Sequence, residues 1–316
     1  MKLRAVGATG LTVSRLGLGT MTWGRETDEH EARDQLIAFA EAGGTLVDTA
    51  AGYGDGASEE LIGRLIGDVV ARDEVVIATK GGISRRTGQR ETYAARGRLL
   101  ADLDGSLKRL GVDHVDLWQV HTWVDGVPLE ETLSALDLAV TSGRTSYVGI
   151  SNYAGWQTAQ AATWQRAVPG RATLASTQME YSLLNRRIED DVVPAAQALG
   201  LGILPWSPLG RGVLTGKYRS GIPSDSRGAS PVFSGFIEGY LDERSQRIVE
   251  SATKAAEGLG WSTLEVALVW VRDRPGVTAP IVGARTAKQL LGALGVEELT
   301  LPPELVAALD DVSAEA

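Results

Sequence analysis

Short apolar runs alternate with longer amphipathic stretches along most of the chain. About eight runs are brief, rich in aliphatic or β-branched residues and bounded by turn residues, which predicts buried parallel strands. They cover residues 16–20, 45–49, 75–80, 115–121, 147–151, 174–178, 202–206 and 279–283. Between them apolar residues recur at spacings of three and four, as in Leu99, Leu103, Leu107 and Leu110, which predicts helices. The alternation indicates repeated βα units around a parallel sheet.

Capping residues mark where several of these helices begin and end. Ser262 with Glu265, and Thr286 with Gln289, match the capping box, and Ser58 ahead of two glutamates is a further start signal. Glycines that can end a helix follow at Gly43, Gly111, Gly143 and Gly200.

Three segments lie outside the repeat. Residues 1–15, with a turn at 7–10, predict a hairpin before the first unit. Residues 242–260, and a segment that begins at Pro302 and Pro303, predict two additional helices. The irregular stretch 207–240, which follows the seventh strand, is rich in Gly, Ser and Pro, and such long loops are usually functional or disordered.

The chain length by itself leaves two architectures open. A chain of 316 residues can form one large α/β barrel or two smaller domains. Because about eight strand–helix pairs follow one another without a linker or low-complexity tract, we predict a single (β/α)8 TIM barrel domain over residues 1–316, with the hairpin and the two extra helices.

Composition excludes several kinds of chemistry. The chain has no cysteine, which removes disulfides and thiol nucleophiles, and its three histidines, His30, His114 and His121, make a multi-histidine metal site improbable. A net charge of -9 argues against nucleic acid or an anionic membrane surface as a partner. We see no apolar leader or run of eighteen apolar residues, and we expect a cytoplasmic protein.

Polar side chains follow most of the predicted strands. In a βα barrel the active site lies at the carboxyl ends of the strands, so these residues are expected on one face. They are Asp48, Lys80, His121, Ser151 with Asn152, Gln178, Trp206 with Ser207, and Gly283 with Arg285.

Three other classes fit the sequence less well. The run Gly17-Leu18-Gly19-Thr20-Met21-Thr22 lacks the last glycine of a dinucleotide-binding sheet, and the segment from Gly210 to Lys217 has the wrong spacing for a phosphate-binding P-loop. A glycosidase needs paired acids at strand ends. Asp48 and Glu180 are available, but the fourth and seventh strands end in His121 and Trp206.

An ordered set of motifs resembles the aldo-keto reductase family. The set comprises Gly17 to Thr20, Asp48-Thr49-Ala50-Ala51-Gly52-Tyr53-Gly54, Thr79-Lys80, Gln119-Val120-His121, Gly149-Ile150-Ser151-Asn152, Gln178 with Tyr181 to Arg186, Trp206-Ser207-Pro208-Leu209, and Gly283-Ala284-Arg285-Thr286 with Gln289-Leu290. The resemblance covers nearly the whole chain and is nearest to the branch that contains bacterial reductases and potassium-channel β subunits. It implies a barrel that binds a nicotinamide dinucleotide without a Rossmann fold, usually NADP(H) and less often NAD(H), and a catalytic group of Tyr53, Asp48, Lys80 and His121.

Carbonyl reduction explains why these four residue types belong together. Hydride transfer to carbon leaves developing charge on oxygen, which needs a proton. A nearby ammonium stabilises a tyrosine phenolate and draws its pKa down toward the working range, and a carboxylate holds the ammonium in place. Tyr53 is thus the expected acid, Lys80 its modulator and Asp48 the partner of Lys80. His121 is expected to be neutral and to orient the substrate oxygen.

The resemblance also implies the cofactor and substrate contacts. The cofactor residues are Gly19, Thr20, Met21, Asp48, Ser151, Asn152, Gln178, Trp206, Ser207, Pro208, Leu209, Gly210, Gly212, Leu214, Lys217, Gly283, Arg285, Thr286 and Gln289. Trp206 is expected to stack on the nicotinamide, the 207–217 loop to hold the pyrophosphate, and Arg285, at a helix N-terminus, to favour the 2′-phosphate of NADPH. Trp23, Tyr53, His121 and Trp123 are the expected substrate pocket. Gly292 and Ala293 depart from the Glu-Asn pair that usually contacts the adenine.

Together these features predict an enzyme that reduces aldehydes or ketones to alcohols with NADPH, acting on a small carbonyl substrate and using no metal. The alternative is a regulatory subunit that senses the redox state by holding NADPH and turns over slowly. The sequence specifies neither the substrate nor the oligomeric state.

Overall fold

The computed structural model describes residues 1–85, 88–224, 226–230 and 234–315, without the side chain of Arg227. Within the predicted loop 207–240, positions 225 and 231–233 therefore lie outside the described residues. The predicted domain over residues 1–316 also includes residue 316, which lies outside them.

Eight parallel strands close into a barrel. In chain order, the barrel strands and four further strands are β1 Leu3–Ala5, β2 Thr12–Ser14, β3 Gly17–Gly19, β4 Leu46–Asp48, β5 Val76–Gly81, β6 Ile83–Ser84, β7 Glu91–Thr92, β8 Val115–Val120, β9 Thr145–Ser151, β10 Leu174–Glu180, β11 Gly202–Trp206 and β12 Ile281–Gly283. The four further strands, β1 with β2 and β6 with β7, form two small antiparallel sheets outside the barrel. The barrel order is β3, β4, β5, β8, β9, β10, β11, β12 and back to β3. The predicted barrel is confirmed. Each predicted strand run overlaps one barrel strand, although β5, β9 and β10 extend one or two residues beyond their runs.

Helices surround the barrel. They are α1 Glu29–Glu41, α2 Ala57–Leu65, α3 Arg96–Leu110, α4 Leu129–Thr141, α5 Gly155–Ala167, α6 Val192–Ala198, α7 Ser234–Ile237, α8 Glu243–Leu259, α9 Thr263–Arg272, α10 Ala287–Leu294 and α11 Pro303–Ser313. The two additional helices that the sequence predicts are α8 and α11. Within the described chain, no helix is both long and apolar enough to cross a membrane.

Most of the predicted capping signals lie at helix ends, with two corrections. Ser262 and Glu265 form a full capping box at α9. At α10 only half of one forms, because the Thr286 side chain accepts from the Gln289 N–H while the Gln289 side chain accepts from Arg285 instead. Ser58 is not a cap, since it lies inside α2 and its hydroxyl donates to Thr20.

The predicted N-terminal hairpin closes the amino end of the barrel. β1 and β2 pair antiparallel, with Leu3 opposite Ser14 and Ala5 opposite Thr12. The buried side chains of Val6, Leu11 and Val13 pack in one cluster with strand residues that point into the barrel, such as Leu46 and Leu204. The hairpin turn also touches the backbone before β11, because a Cβ on Gly7 would lie 2.3 Å from the Gly200 carbonyl oxygen. With the amino end plugged, the carboxyl end is where a ligand can enter.

Candidate active site

A cavity of about 770 Å³ opens at the carboxyl ends of the barrel strands. Most predicted site residues line it: Gly19, Met21, Asp48, Tyr53, His121, Ser151, Asn152, Gln178, Trp206, Ser207, Pro208, Leu209, Gly212, Lys217, Gly283, Arg285 and Gln289. These side chains come from seven different barrel strands or the loops after them, so the barrel brings together residues that are far apart in sequence.

A buried ion pair lies at the base of the cavity. The Lys80 ammonium, fully buried at the end of β5, donates to Asp48 Oδ1 at 2.6 Å and to the Thr49 carbonyl at 2.7 Å. The other carboxylate oxygen, Oδ2, accepts from Gln178 Nε2 at 2.9 Å. Burial by itself lowers the pKa of Lys80, but Asp48 and Tyr53 outweigh burial, and the net pKa lies above its ordinary value. Lys80 therefore stays charged.

Tyr53 stands directly beside this pair. It begins a short 3-10 segment, Tyr53–Gly56, in which Gly54 and Asp55 adopt left-handed conformations that turn the chain sharply after β4. Its ring centroid lies 5.3 Å from Lys80 Nζ. Burial raises the pKa of Tyr53, while Lys80 acts to lower it. As the sequence predicts, Lys80 lowers the pKa of Tyr53. The effect of burial is larger, however, and the net pKa lies above its ordinary value.

His121 faces Tyr53 across the cavity. The two ring centroids are 5.8 Å apart with the planes at 76°. Burial, the Lys80 charge and the Arg90 charge lower the pKa of His121 well below its usual value, so the imidazole is neutral at pH 7. Among the described residues its Nδ1 atom has no hydrogen-bond partner. Two groups that can each donate a proton thus face one part of the cavity.

Amide side chains surround the next part of the cavity. Asn152, whose φ of 58° is left-handed, donates to the His121 carbonyl at 2.9 Å and to Ser151 Oγ at 3.1 Å. Its Oδ1 atom accepts from Trp206 Nε1 at 3.1 Å, which fixes the indole plane. Ser151 Oγ donates to the Gln178 carbonyl at 2.8 Å. Since each amide or carboxylate oxygen can accept two hydrogen bonds, Asn152 Oδ1 retains a free acceptor position.

The loop after β11 has an unusual backbone. Ser207 and Arg211 have φ values of 51° and 58°, although neither is glycine, and Gly210 and Gly212 are also left-handed. Lys217 lies close to this loop, since a Cβ on Gly212 would be 3.5 Å from Lys217 Nζ. A tight loop with small residues beside a cation can bring backbone N–H groups close to an anion.

Arg211 joins this loop to the following segment. Its guanidinium makes two bonds to Glu180, at 2.8 and 2.7 Å, and a third to the Phe236 carbonyl at 2.5 Å. It also lies 4.0 Å from the centroid of the Phe236 ring, and Tyr240 donates to Glu180 at 3.0 Å. These contacts hold the segment Ser234–Tyr240 beside the loop, and Phe236 lines the cavity.

The N-terminus of α10 forms the far end of the cavity. Arg285 and Gln289 line it, and Gln289 Oε1 accepts from the Arg285 N–H at 3.0 Å. The N–H of Ala287, in the first turn, is already bonded to a Glu31 carboxylate oxygen at 2.8 Å. An anion bound here would depend on the Arg285 side chain more than on that amide.

Some predicted site residues lie behind the cavity wall. Thr20 is buried and its hydroxyl donates to the Asp48 carbonyl at 3.1 Å, Lys80 lies beneath Asp48, and Leu214 belongs to the core. Gly210 is buried against Leu184, and Thr286 caps α10.

The two tryptophans predicted for the substrate pocket lie elsewhere. Trp23 is fully buried in the core, where Nε1 donates to Gln35 at 3.1 Å. Trp123 packs edge to face against Tyr153 and Trp156 and donates to Asp125 at 2.9 Å. Both follow strand ends in sequence, but neither indole lines the cavity.

Several lining residues were missed by the sequence argument. They are Arg25, Gly52, Gly54, Ile83, Arg85, Arg90, Arg211, Thr215, Phe236, Leu264, Ile281, Val282, Ala284 and Ala293. Arg85 and Arg90 belong to the small hairpin β6–β7, which the apolar pattern does not reveal because its strands are two residues long. The cluster of arginines at positions 85, 86 and 90 is the sequence feature that could have indicated these lining residues.

The aldo/keto reductase family profile matches residues 15–314. The chain is 37% identical to an uncharacterised oxidoreductase of Bacillus subtilis (strain 168), covering 99% of this chain and 96% of that protein. It is 34% identical to a probable voltage-gated potassium channel subunit beta of Oryza sativa subsp. japonica, with 99% and 96% covered. It is also 34% identical to an L-glyceraldehyde 3-phosphate reductase of Escherichia coli (strain K12), with 100% and 93% covered.

Proposed function

This chain belongs to the aldo/keto reductase family, whose members are oxidoreductases of carbonyl compounds, and we propose that it reduces aldehydes or ketones to alcohols with NADPH, in a reversible reaction with Tyr53 as general acid and base. The observation that carries this proposal is the arrangement of Tyr53 beside the buried Lys80–Asp48 pair and opposite a neutral His121.

Tyr53 is suited to donate a proton in the reductive direction. Its raised pKa keeps the phenol protonated at pH 7. As the proton leaves, the phenolate forms next to the Lys80 ammonium, which stabilises the negative charge. Asp48 holds Lys80 in position through the 2.6 Å bond. In the oxidative direction the same phenolate takes up the proton of the alcohol.

His121 is suited to orient the carbonyl. A neutral imidazole donates one hydrogen bond and brings no charge that would compete with Lys80 for the phenolate. In the tautomer with the proton on Nε2, His121 can donate to the substrate oxygen, and Nδ1 is then the unprotonated nitrogen that has no partner among the described residues. Tyr53 and His121 together define the position of the reacting oxygen.

The residues around Trp206 fit a nicotinamide. The ring of a bound nicotinamide would supply the hydride. Trp206 offers it a flat apolar face in an orientation fixed by Asn152, and the free acceptor position on Asn152 Oδ1 suits the N–H of a carboxamide. Gln178 donates from its side-chain nitrogen to Asp48. Its side-chain carbonyl oxygen is then the atom left to contact the same carboxamide.

The charged residues farther along the cavity suit the cofactor phosphates. The left-handed loop after β11 with Lys217 would hold the pyrophosphate, and Arg285 would meet the 2′-phosphate that distinguishes NADPH from NADH. Because Glu31 already occupies the Ala287 amide, we assign the preference for NADPH to the Arg285 side chain.

The test is Tyr53→Phe, which removes one hydroxyl and keeps the ring. We expect aldehyde reduction, followed by loss of NADPH absorbance, to fall by about 100-fold or more, because general acid catalysis contributes at least that much. Binding of NADPH, followed by tryptophan fluorescence, should remain close to that of the wild type. Tyr147→Phe is the matched control, since Tyr147 packs at the closed amino end of the barrel.

Two results would contradict the proposal. Full activity of the Tyr53→Phe enzyme would exclude Tyr53 as the proton donor. Tight NADPH binding by the wild-type protein without turnover of any aldehyde in a broad panel would instead support the regulatory-subunit alternative.

A further inference from the structure

Two arginines line the cavity on the side away from the proposed cofactor phosphates. The small hairpin formed by β6 and β7 follows the strand that carries Lys80. Arg85 directly follows β6 and Arg90 directly precedes β7, and both line the cavity. Neither side chain forms an ion pair with a described carboxylate. The proposed reaction uses neither of them, so their presence in the cavity needs a separate explanation.

The hairpin base is held firmly against the body of the protein. Ile83 pairs with Thr92 and Ser84 with Glu91. Asp102 of α3 accepts from the Gly82 N–H at 2.9 Å and from the Tyr93 hydroxyl at 2.7 Å. These bonds hold the two strands at the base of the hairpin, next to the backbone of Arg85 and Arg90.

The hairpin also touches the loop that carries Tyr53. A Cβ on Gly52 would lie 2.7 Å from the Ile83 carbonyl oxygen, so the two segments are in backbone contact. The Arg90 charge is one of the causes that lower the pKa of His121, after burial and Lys80. Arg90 therefore acts on His121, and Arg85 lines the same cavity as Tyr53 and His121.

The side chains of the hairpin separate by charge. Neighbouring residues of an extended chain point to opposite sides. Glu91, next to Arg90, lines a smaller cavity of about 260 Å³ behind the hairpin, where it pairs with Arg98 at 3.3 Å. The acidic group is thus directed away from the main cavity, and Arg90 is directed into it.

The side chains that line the main cavity on this side carry a net positive charge. Asp48 is the one carboxylate among its described lining residues, and Lys80 neutralises it. The chain as a whole carries a net charge of -9, so this balance is local and opposite to the overall charge. Positive groups at a cavity mouth concentrate anionic ligands there.

The cofactor phosphates do not account for these two residues. Lys217 follows β11 and Arg285 follows β12, whereas Arg85 and Arg90 follow β5. In the closed barrel order β5 lies four strands from β11 in either direction, which places the hairpin on the opposite wall. An anion that meets Arg85 and Arg90 therefore belongs to the substrate side of the cavity.

We propose that Arg85 and Arg90 bind an anionic group of the carbonyl substrate, a phosphate or a carboxylate, while Tyr53 and His121 hold its carbonyl oxygen. This inference rests on the proposed reductase function. A guanidinium suits both anions because its N–H groups match pairs of their oxygens. The preferred substrate is then a small aldehyde or ketone with a negative charge at the end away from the reacting carbon.

The experiment compares matched aldehydes in steady-state assays with NADPH. One pair is glycolaldehyde phosphate and glycolaldehyde, and the other is 4-formylbenzoate and its methyl ester. We expect the wild-type enzyme to favour at least one anionic partner in kcat/KM. In Arg85→Gln/Arg90→Gln this preference should fall by about ten-fold or more, in line with the loss of charge-assisted hydrogen bonds. Arg85→Lys/Arg90→Lys should retain part of it.

Arg247→Gln, an exposed site on α8, is the control for overall charge, and thermal unfolding shows that each variant is folded. Selective loss with the phosphate pair alone, or with the carboxylate pair alone, supports the proposal and identifies the anion. Turnover of neutral aldehydes without any preference for anions, or an equal effect of Arg247→Gln, overturns it while leaving the reductase function intact. Absence of turnover with every aldehyde contradicts the reductase function itself.

Discussion

The buried Lys80–Asp48 pair allows a quantitative prediction. In Asp48→Asn the side chain keeps its size, but the fully buried ammonium loses its counter-charge, and the new amide nitrogen can face Gln178 Nε2, which is also a donor. Removing one partner of a buried pair typically costs about 3 to 5 kcal/mol. At about 2.1 cal/mol/K per residue, 316 residues give an unfolding entropy of about 0.66 kcal/mol/K, so Tm should fall by roughly 5 to 8 °C.

The assays are chemical unfolding at pH 7 for the free energy and thermal unfolding for Tm, both followed by tryptophan fluorescence and circular dichroism. Asp104→Asn is the matched control, because it makes the same chemical change in the Arg144–Asp104 pair, where Asp104 is 61% exposed. That variant should lose no more than about 1 kcal/mol. The double variant Asp48→Leu/Lys80→Met removes both charges and should recover much of the stability, since apolar replacement of a whole buried pair is often close to neutral.

Two results would refute this reasoning. A loss below about 1 kcal/mol in Asp48→Asn would show that the buried ammonium does not need its counter-charge. A double variant as unstable as Asp48→Asn would show that packing, and not the unpaired charge, determines the cost.

Two further predictions concern the cofactor and the effect of pH. Arg285→Ala should weaken NADPH binding about ten-fold or more beyond any effect on NADH, and equal weakening in fluorescence titrations would exclude a 2′-phosphate contact. For His121, the folded pKa lies below the ordinary value of 6.5, so below that pH the unfolded chain binds a proton that the folded chain does not, and stability falls as pH falls. His121→Gln has no such proton. Between pH 7.5 and 5.0 its free energy of unfolding, measured with urea, should fall by up to about 2 kcal/mol less than that of the wild type. Equal losses would show that His121 does not stay neutral in the fold.

The apolar pattern predicted the barrel because buried parallel strands leave an unambiguous signal. Each barrel strand overlaps a predicted run, and the caps at Ser262 and Gly111 mark helix ends where the structure has them. The polar residues after the strands could be assigned to one face for the same reason, since the barrel fixes which ends meet.

Side-chain direction after a strand could not be predicted in the same way. Trp23 and Trp123 both follow barrel strands, yet Trp23 turns into the core and Trp123 turns toward α5. The pKa of Tyr53 was equally inaccessible, because the sequence indicates that Lys80 is near but not that burial outweighs its effect. The hairpin that carries Arg85 and Arg90 was missed because two-residue strands have no measurable period.

The pairing of β3 with β12 has a consequence for how the protein is made. Gly17 pairs with Ile281 and Gly19 with Gly283, so the barrel joins the first and last of its strands. During synthesis the sheet must therefore wait, with two unpaired edges, until residues near 283 have left the ribosome. Unpaired strand edges are prone to join other chains. The interval between synthesis of β3 and synthesis of β12 is thus when a nascent chain of this protein is most exposed to aggregation.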